Sequence, residues 1–81
     1  MAEHLTLYGR SYCHLCGDMI KALEGLQDPL DFSFAVVDVD EDPGLETRYG
    51  ELVPVLTDPQ GREICHYFLD IGALRARLAV K

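Results

Sequence analysis

The order of apolar and polar positions divides the chain into seven elements. Leu5 and Leu7 alternate with Thr6 and Tyr8, which predicts a first strand over residues 4–8 with two unlike faces. After a loop at residues 9–12 the period changes. Leu15, Met19, Ala22, Leu23 and Leu26 fall on one helical stripe while Asp18, Lys21 and Glu24 lie off it. A helix is therefore expected from His14 to about Gln27, ended by Asp28 and Pro29. Gly25 weakens it by about 1 kcal/mol relative to alanine. Residues 31–39 read as a second strand, alternating at first and continuously apolar from Phe34 to Val37, the pattern of a strand covered on both faces. Strand, helix, strand in this order implies a right-handed parallel crossover.

The second half continues in shorter units. Asp42 suits a helix N-cap and Pro43 the first helical position. This predicts a short helix to about Tyr49, with Gly50 as a left-handed C-terminal residue. Residues 52–57 read as a third strand. Asp58-Pro59-Gln60-Gly61 has the composition of a type I turn, so residues 62–67 should return as an antiparallel fourth strand. Asp70 then caps a last helix with Ile71, Leu74 and Leu78 on its apolar stripe and Arg75, Arg77 and Lys81 towards its end. The order is β-α-β-α-β-β-α. It implies an α/β fold with a mixed four-stranded sheet and helices on both faces.

With 81 residues the chain is expected to be one domain over 1–81 and a monomer. Fourteen acidic residues against seven basic ones give a net charge of −7. That balance opposes general binding to nucleic acid or anionic membranes, which need clustered Lys and Arg. No basic stretch followed by an apolar run suggests a signal peptide, and no apolar run approaches the ~20 residues of a membrane span. A cytoplasmic protein is expected. There a close cysteine pair is more often catalytic or metal-binding than a structural staple. Three cysteines do not suit a disulfide framework. The acidic run from Asp38 to Asp42 reads as carboxylates at a helix start; it lacks the ligand spacing of a calcium loop.

Cys13 and Cys16 stand two residues apart where the first strand gives way to the first helix. At the helix N-terminus Cys13 meets unpaired N–H groups and the positive end of the dipole. Both favour the thiolate, the reactive form of cysteine. Arg10, three residues earlier, adds a positive charge, and His14 a pH-dependent one. Cys16 lies one turn on and on the same face. Cys13 is thus the candidate nucleophile and Cys16 the resolving thiol. A pair with this spacing also suits zinc. Cys13, Cys16, Cys65 and His66 are the four ligands that could be proposed, although neighbours on a strand point to opposite faces. The strand before the pair, the helix after it and the later Val53-Pro54 favour the redox reading. Cys65 reads as a core cysteine.

The run from Tyr8 to Cys16 resembles the strand-loop-helix segment of glutaredoxins: a basic residue three before the first cysteine, an aromatic just before it, and C-x-x-C. Val53-Pro54-Val55 resembles their V-P-V segment. The resemblance extends over nearly the whole chain and implies the glutaredoxin type of thioredoxin fold. It implies a thiol–disulfide oxidoreductase or electron carrier with a redox-active Cys13–Cys16 disulfide. It also implies a cis Val53–Pro54 bond, and a substrate site formed by Tyr12, Val53 and Pro54. The implied partners are a protein or low-molecular-weight disulfide, with a reductase or glutathione as electron source and no bound cofactor. The chain departs from the family pattern in having His14 and Leu15 between the cysteines and Leu52 before Val53. Cys65-His66 stands roughly where glutaredoxins carry the Gly-Gly pair of their glutathione site. The other reading is a binding module of the same fold, with the cysteines holding zinc or an iron–sulfur cluster, or redox-silent.

Overall fold

A computed structural model of the chain describes residues 3–79. Four strands, β1 (Glu3–Gly9), β2 (Phe32–Asp38), β3 (Val55–Thr57) and β4 (Glu63–His66), form one sheet in the order β2-β1-β3-β4. β1 and β2 are parallel; β3 is antiparallel to both β1 and β4. Three helices, α1 (His14–Leu30), α2 (Pro43–Tyr49) and α3 (Ile71–Ala79), complete the β-α-β-α-β-β-α order. A single 3-10 turn, Val39–Glu41, joins β2 to α2.

Alternation along the central strands separates two cores. Leu5, Leu7 and Leu56 pack with Met19 and Leu23 of α1, Leu74 of α3, Phe32 and Cys65. Tyr8 and Val55 turn to the opposite face and meet Val39 of the 3-10 turn and Tyr49 of α2, and the Tyr8 and Tyr49 rings stack at 4.4 Å. Each core exists because side chains in a strand alternate between faces.

Four expectations are corrected. First, α1 does not stop before Asp28-Pro29: Pro29 lies inside it and Asp31, with φ 54°, closes it by donating its N–H to the Gln27 carbonyl. In the last turn a proline forfeits one helical bond, which the left-handed cap partly offsets. Second, the buried stripe of α1 is Cys16, Met19 and Leu23, with Ile20, Leu26 and Leu30 flanking it; Ala22 is exposed. Third, β2 is an edge strand. It is also not covered on both faces: Ser33, Ala35 and Val36 are exposed, Val36 at 52%, and Phe32 alone in the strand is buried. Fourth, Gly50 is right-handed, with φ −53°. Its lack of a side chain serves space rather than conformation, because a Cβ there would collide with the Glu46 carbonyl oxygen. On the last helix, Leu74 is buried and Ile71 stays 46% exposed.

The turn between β3 and β4 folds around Asp58. Gly61 donates its N–H to the Asp58 carbonyl and takes φ 82°, a conformation suited to glycine. The Asp58 carboxylate accepts from the N–H groups of Gln60 and Arg62 and from Arg77 Nε of α3, all at 2.9 Å. Arg77 also reaches Glu3 on β1 at 3.1 Å. Sequence reading missed this buried clamp. Its only signal was a carboxylate in a turn, and turn carboxylates are common on surfaces.

Candidate active site

The site lies at the end of the sheet where β1 and β2 both finish. Gly9 pairs with Asp38 in the parallel register, so the loops leaving both strands emerge together. Tyr8 pairs with Val55 in the antiparallel register, which brings Pro54 to the same end. A crevice beyond the carboxyl ends of parallel strands is the usual ligand position in such sheets.

The loop from Gly9 turns at Arg10, whose carbonyl accepts the Cys13 N–H at 3.2 Å. Cys13 is the N-cap of α1, with extended φ −95° and ψ 108°. Its Sγ accepts the Cys16 N–H at 3.0 Å, in the way an oxygen would at an ordinary cap. The two sulfurs are joined as a disulfide, with Cα atoms 5.1 Å apart. Cys13 is half-buried and Cys16 is 4% exposed. The asymmetry follows from helix geometry: Cys16 belongs to the core stripe, while Cys13 ends the loop. Gly9 makes room for the inner sulfur, since a Cβ there would lie 3.1 Å from Cys16 Sγ.

Arg10 and His14 are engaged elsewhere. Arg10 Nη2 contacts Asp40 Oδ1 at 3.1 Å and Glu46 Oε1 at 3.6 Å. Its Nε is buried without a hydrogen-bond partner. His14 is 91% exposed and faces Asp18 at 3.5 Å. Tyr12 is 93% exposed, so it projects from the loop rather than packing over the disulfide.

The Val53–Pro54 peptide bond is cis. Pro54 is buried and its carbonyl accepts the Tyr67 N–H at 3.0 Å. Tyr67 has φ 63°, uncommon for a bulky residue, and its hydroxyl donates to the Glu51 carbonyl at 3.1 Å. The residue after β4 therefore ties down the loop that carries Val53 and Pro54. No local pattern distinguishes such a tyrosine from an ordinary strand end, and sequence reading did not single it out.

On the β2 side of the disulfide, Leu7, Gly9, Gly17, Ile20 and Val36 line a cavity of about 310 Å³. Cys13, Cys16, Arg10, Ser11 and Asp38 complete its wall. Cys65, by contrast, belongs to the main core, and His66 pairs with Glu63 at 2.6 Å. Burial, together with the charges of Asp70 and Glu63, pushes the Cys65 thiol up, and a hydrogen bond from the Asp70 backbone offsets this only in part. Among the described residues no three metal-ligating side chains come together.

The profile of the glutaredoxin-like domain (DUF836) matches residues 4–79. The chain belongs to this family. Protein Ne2328 from Nitrosomonas europaea, solved in solution, is 39% identical, with 98% of this chain and 94% of that chain covered and a TM-score of 0.88. The crystal structure of XcR50 from X. campestris is 44% identical, covers 95% of this chain and 97% of its own, and superposes with a TM-score of 0.70. Thioredoxin 1 from Thermosipho africanus is 18% identical over 95% of this chain and 96% of that one, with a TM-score of 0.63, a likeness of fold. No curated protein matches the chain. This glutaredoxin-like chain thus has the thioredoxin-like fold, with its cysteine pair at the start of the first helix.

Proposed function

We propose that this glutaredoxin-like protein is a thiol–disulfide oxidoreductase or electron carrier of the cytoplasm that cycles Cys13 and Cys16 between dithiol and disulfide. The observation that carries the reading is the polarity of the pair: Cys13 at the helix N-cap, partly open to solvent, bridged to a Cys16 buried one turn deeper. In the reduced protein the Cys13 thiolate attacks one sulfur of a substrate disulfide. A mixed disulfide forms and one substrate thiolate leaves. Cys16, once deprotonated, attacks the Cys13 sulfur and expels the second thiolate. The protein is oxidised by two electrons and the substrate is reduced to two thiols, which take up the protons the cysteines lose.

The surroundings fit these roles. The N–H groups of the first turn of α1 stabilise charge on the reduced Cys13; in the disulfide the Cys16 N–H already donates to its sulfur. Arg10 and His14 supply nearby positive charge, tempered by Asp40, Glu46 and Asp18. Tyr12, Val53 and Pro54 present the surface against which a protein or small disulfide lies. A reductase or glutathione returns the electrons.

The test is reduction of bis(2-hydroxyethyl) disulfide with dithiothreitol as electron source. Cys13→Ser should abolish exchange. Cys16→Ser, reduced and then freed of dithiothreitol before the disulfide is added, should leave the first step intact and accumulate a mixed disulfide on Cys13, visible by mass spectrometry. A Cys13→Ser protein that exchanges as fast as the parent would end this reading.

A further inference from the structure

The cavity beside the disulfide is not part of the surface formed by Tyr12, Val53 and Pro54. It opens on the other flank of the pair, between the first turns of α1 and the ends of β1 and β2. Leu7, Ile20 and Val36 make it apolar. It is also unfilled from the helix side, since a Cβ on Gly17 would meet nothing within 4 Å. Val36 carries the apolar surface outwards, being 52% exposed on the edge strand. An apolar recess with two reactive sulfurs in its wall is suited to a side chain adjoining the sulfur under attack.

Charge narrows the occupant. Between positions 38 and 51 six carboxylates stand against one cation, Arg48. Asp38 lines the cavity itself, and the 3-10 turn and α2 that follow it carry Asp40, Glu41, Asp42 and Glu46. The cations near the disulfide do not offset this. Arg10, which lines the cavity too, is paired with Asp40 and Glu46, and His14 faces Asp18. A surface with an excess of one sign of charge raises the local concentration of the opposite sign and repels its own.

We propose that the cavity receives a polypeptide substrate in which the disulfide-bonded cysteine is neighboured by an apolar side chain and by basic residues. The apolar side chain enters between Ile20 and Val36, and the basic residues face Asp38 and the carboxylates beyond it. This rests on the dithiol reading above and assigns that site its class of substrate. The exchange steps are unchanged.

Two comparisons test it on the reduced, full-length protein. In the first, rates are measured for cystamine, bis(2-hydroxyethyl) disulfide and 3,3′-dithiodipropionate, each divided by its rate with 2-mercaptoethanol. The cation should outrun the anion by about ten-fold or more at low ionic strength, and salt that shortens the screening length well below ~10 Å should collapse the gap. Asp38→Asn, which keeps an oxygen for the Asp40 N–H, should reduce the cation-to-anion ratio. In the second, the oxidised dimers of the peptides Leu-Cys-Arg and Gly-Cys-Arg are compared. The leucine peptide should react faster, and Val36→Ser should shrink its advantage. Equal or reversed rates for cation and anion, or no advantage for leucine, overturn the proposal while leaving the dithiol reading in place. Failure of even the neutral disulfide to react strikes the dithiol reading itself.

Discussion

Gly9 and Cys16 show how little space separates the reactive pair from the sheet beneath it. The inner sulfur occupies the volume that a side chain on residue 9 would need, with Cys16 Sγ 3.1 Å and Cys16 Cβ 3.3 Å from such a Cβ. Neither atom is the end of a long flexible side chain, so little can yield. Gly9→Ala should destabilise the oxidised protein by about 1–3 kcal/mol, the usual range for overpacking a core, and urea unfolding will measure it. The cysteines themselves were legible from their spacing and their place between strand and helix. That Cys16 is buried while Cys13 is half-buried follows from the place of Cys16 one turn deeper along α1. The engagement of Arg10 by Asp40 and Glu46 was not legible, because those carboxylates are thirty and thirty-six positions away.

Among the elements, α2 and the 3-10 turn before it link the acidic segment to the site. Asp42 starts the helix by accepting the Gly44 N–H at 2.8 Å, and Pro43 follows at the first helical position. Glu46 then reaches Arg10 on one side of the helix while Tyr49 stacks on Tyr8 of β1. Asp42→Ala should cost about 1 kcal/mol, the typical worth of an N-cap, seen as a lower urea midpoint. A midpoint equal to that of the parent would mean that Pro43 and packing by Tyr49 suffice to hold α2. This helix was foreseen because capping signals are local. The edge position of β2 was not: a run of four apolar residues looks the same whether a neighbour strand covers it or only one side of it is packed. Strand order depends on which partners lie alongside, and these are distant in sequence.

Across the whole molecule, the Asp58–Arg77 pair joins the β3–β4 turn to α3, and Arg77 extends the link to Glu3 on β1. Burial alone would raise the Asp58 carboxyl. The hydrogen bond from Arg77, the N–H groups of Arg62 and Gln60, and the Arg77 charge outweigh it and hold the group below its ordinary value of 3.8. The folded state therefore binds a proton here less readily than the unfolded chain does. The stabilisation is full above pH 3.8 and is lost as the pH falls through the lower folded-state value. Asp58→Asn should unfold at lower urea than the parent at neutral pH, with the gap narrowing once acid protonates the parent's carboxylate. Circular dichroism across that range will show it; a gap that stays constant into acid would assign the loss to side-chain packing instead of charge. Among the described residues no helix is long and apolar enough to cross a membrane.

Local rules carried the reading far. Periodicity located the strands and helices, capping and turn residues marked most of their ends, and the spacing of Cys13 and Cys16 pointed to the chemistry, because each of these depends on neighbours a few positions apart. Folding was needed for what depends on distant partners. It placed β2 at the edge and so opened the cavity beside the disulfide. It paired Arg10 with two distant carboxylates, turned Tyr67 back onto the Glu51 and Pro54 carbonyls, and buried Asp58 against Arg77. The disulfide segment was visible as a motif because it lies within one helical turn. Its flanks were not, because they are assembled from β1, β2, α1, the loop before β3 and the end of β4.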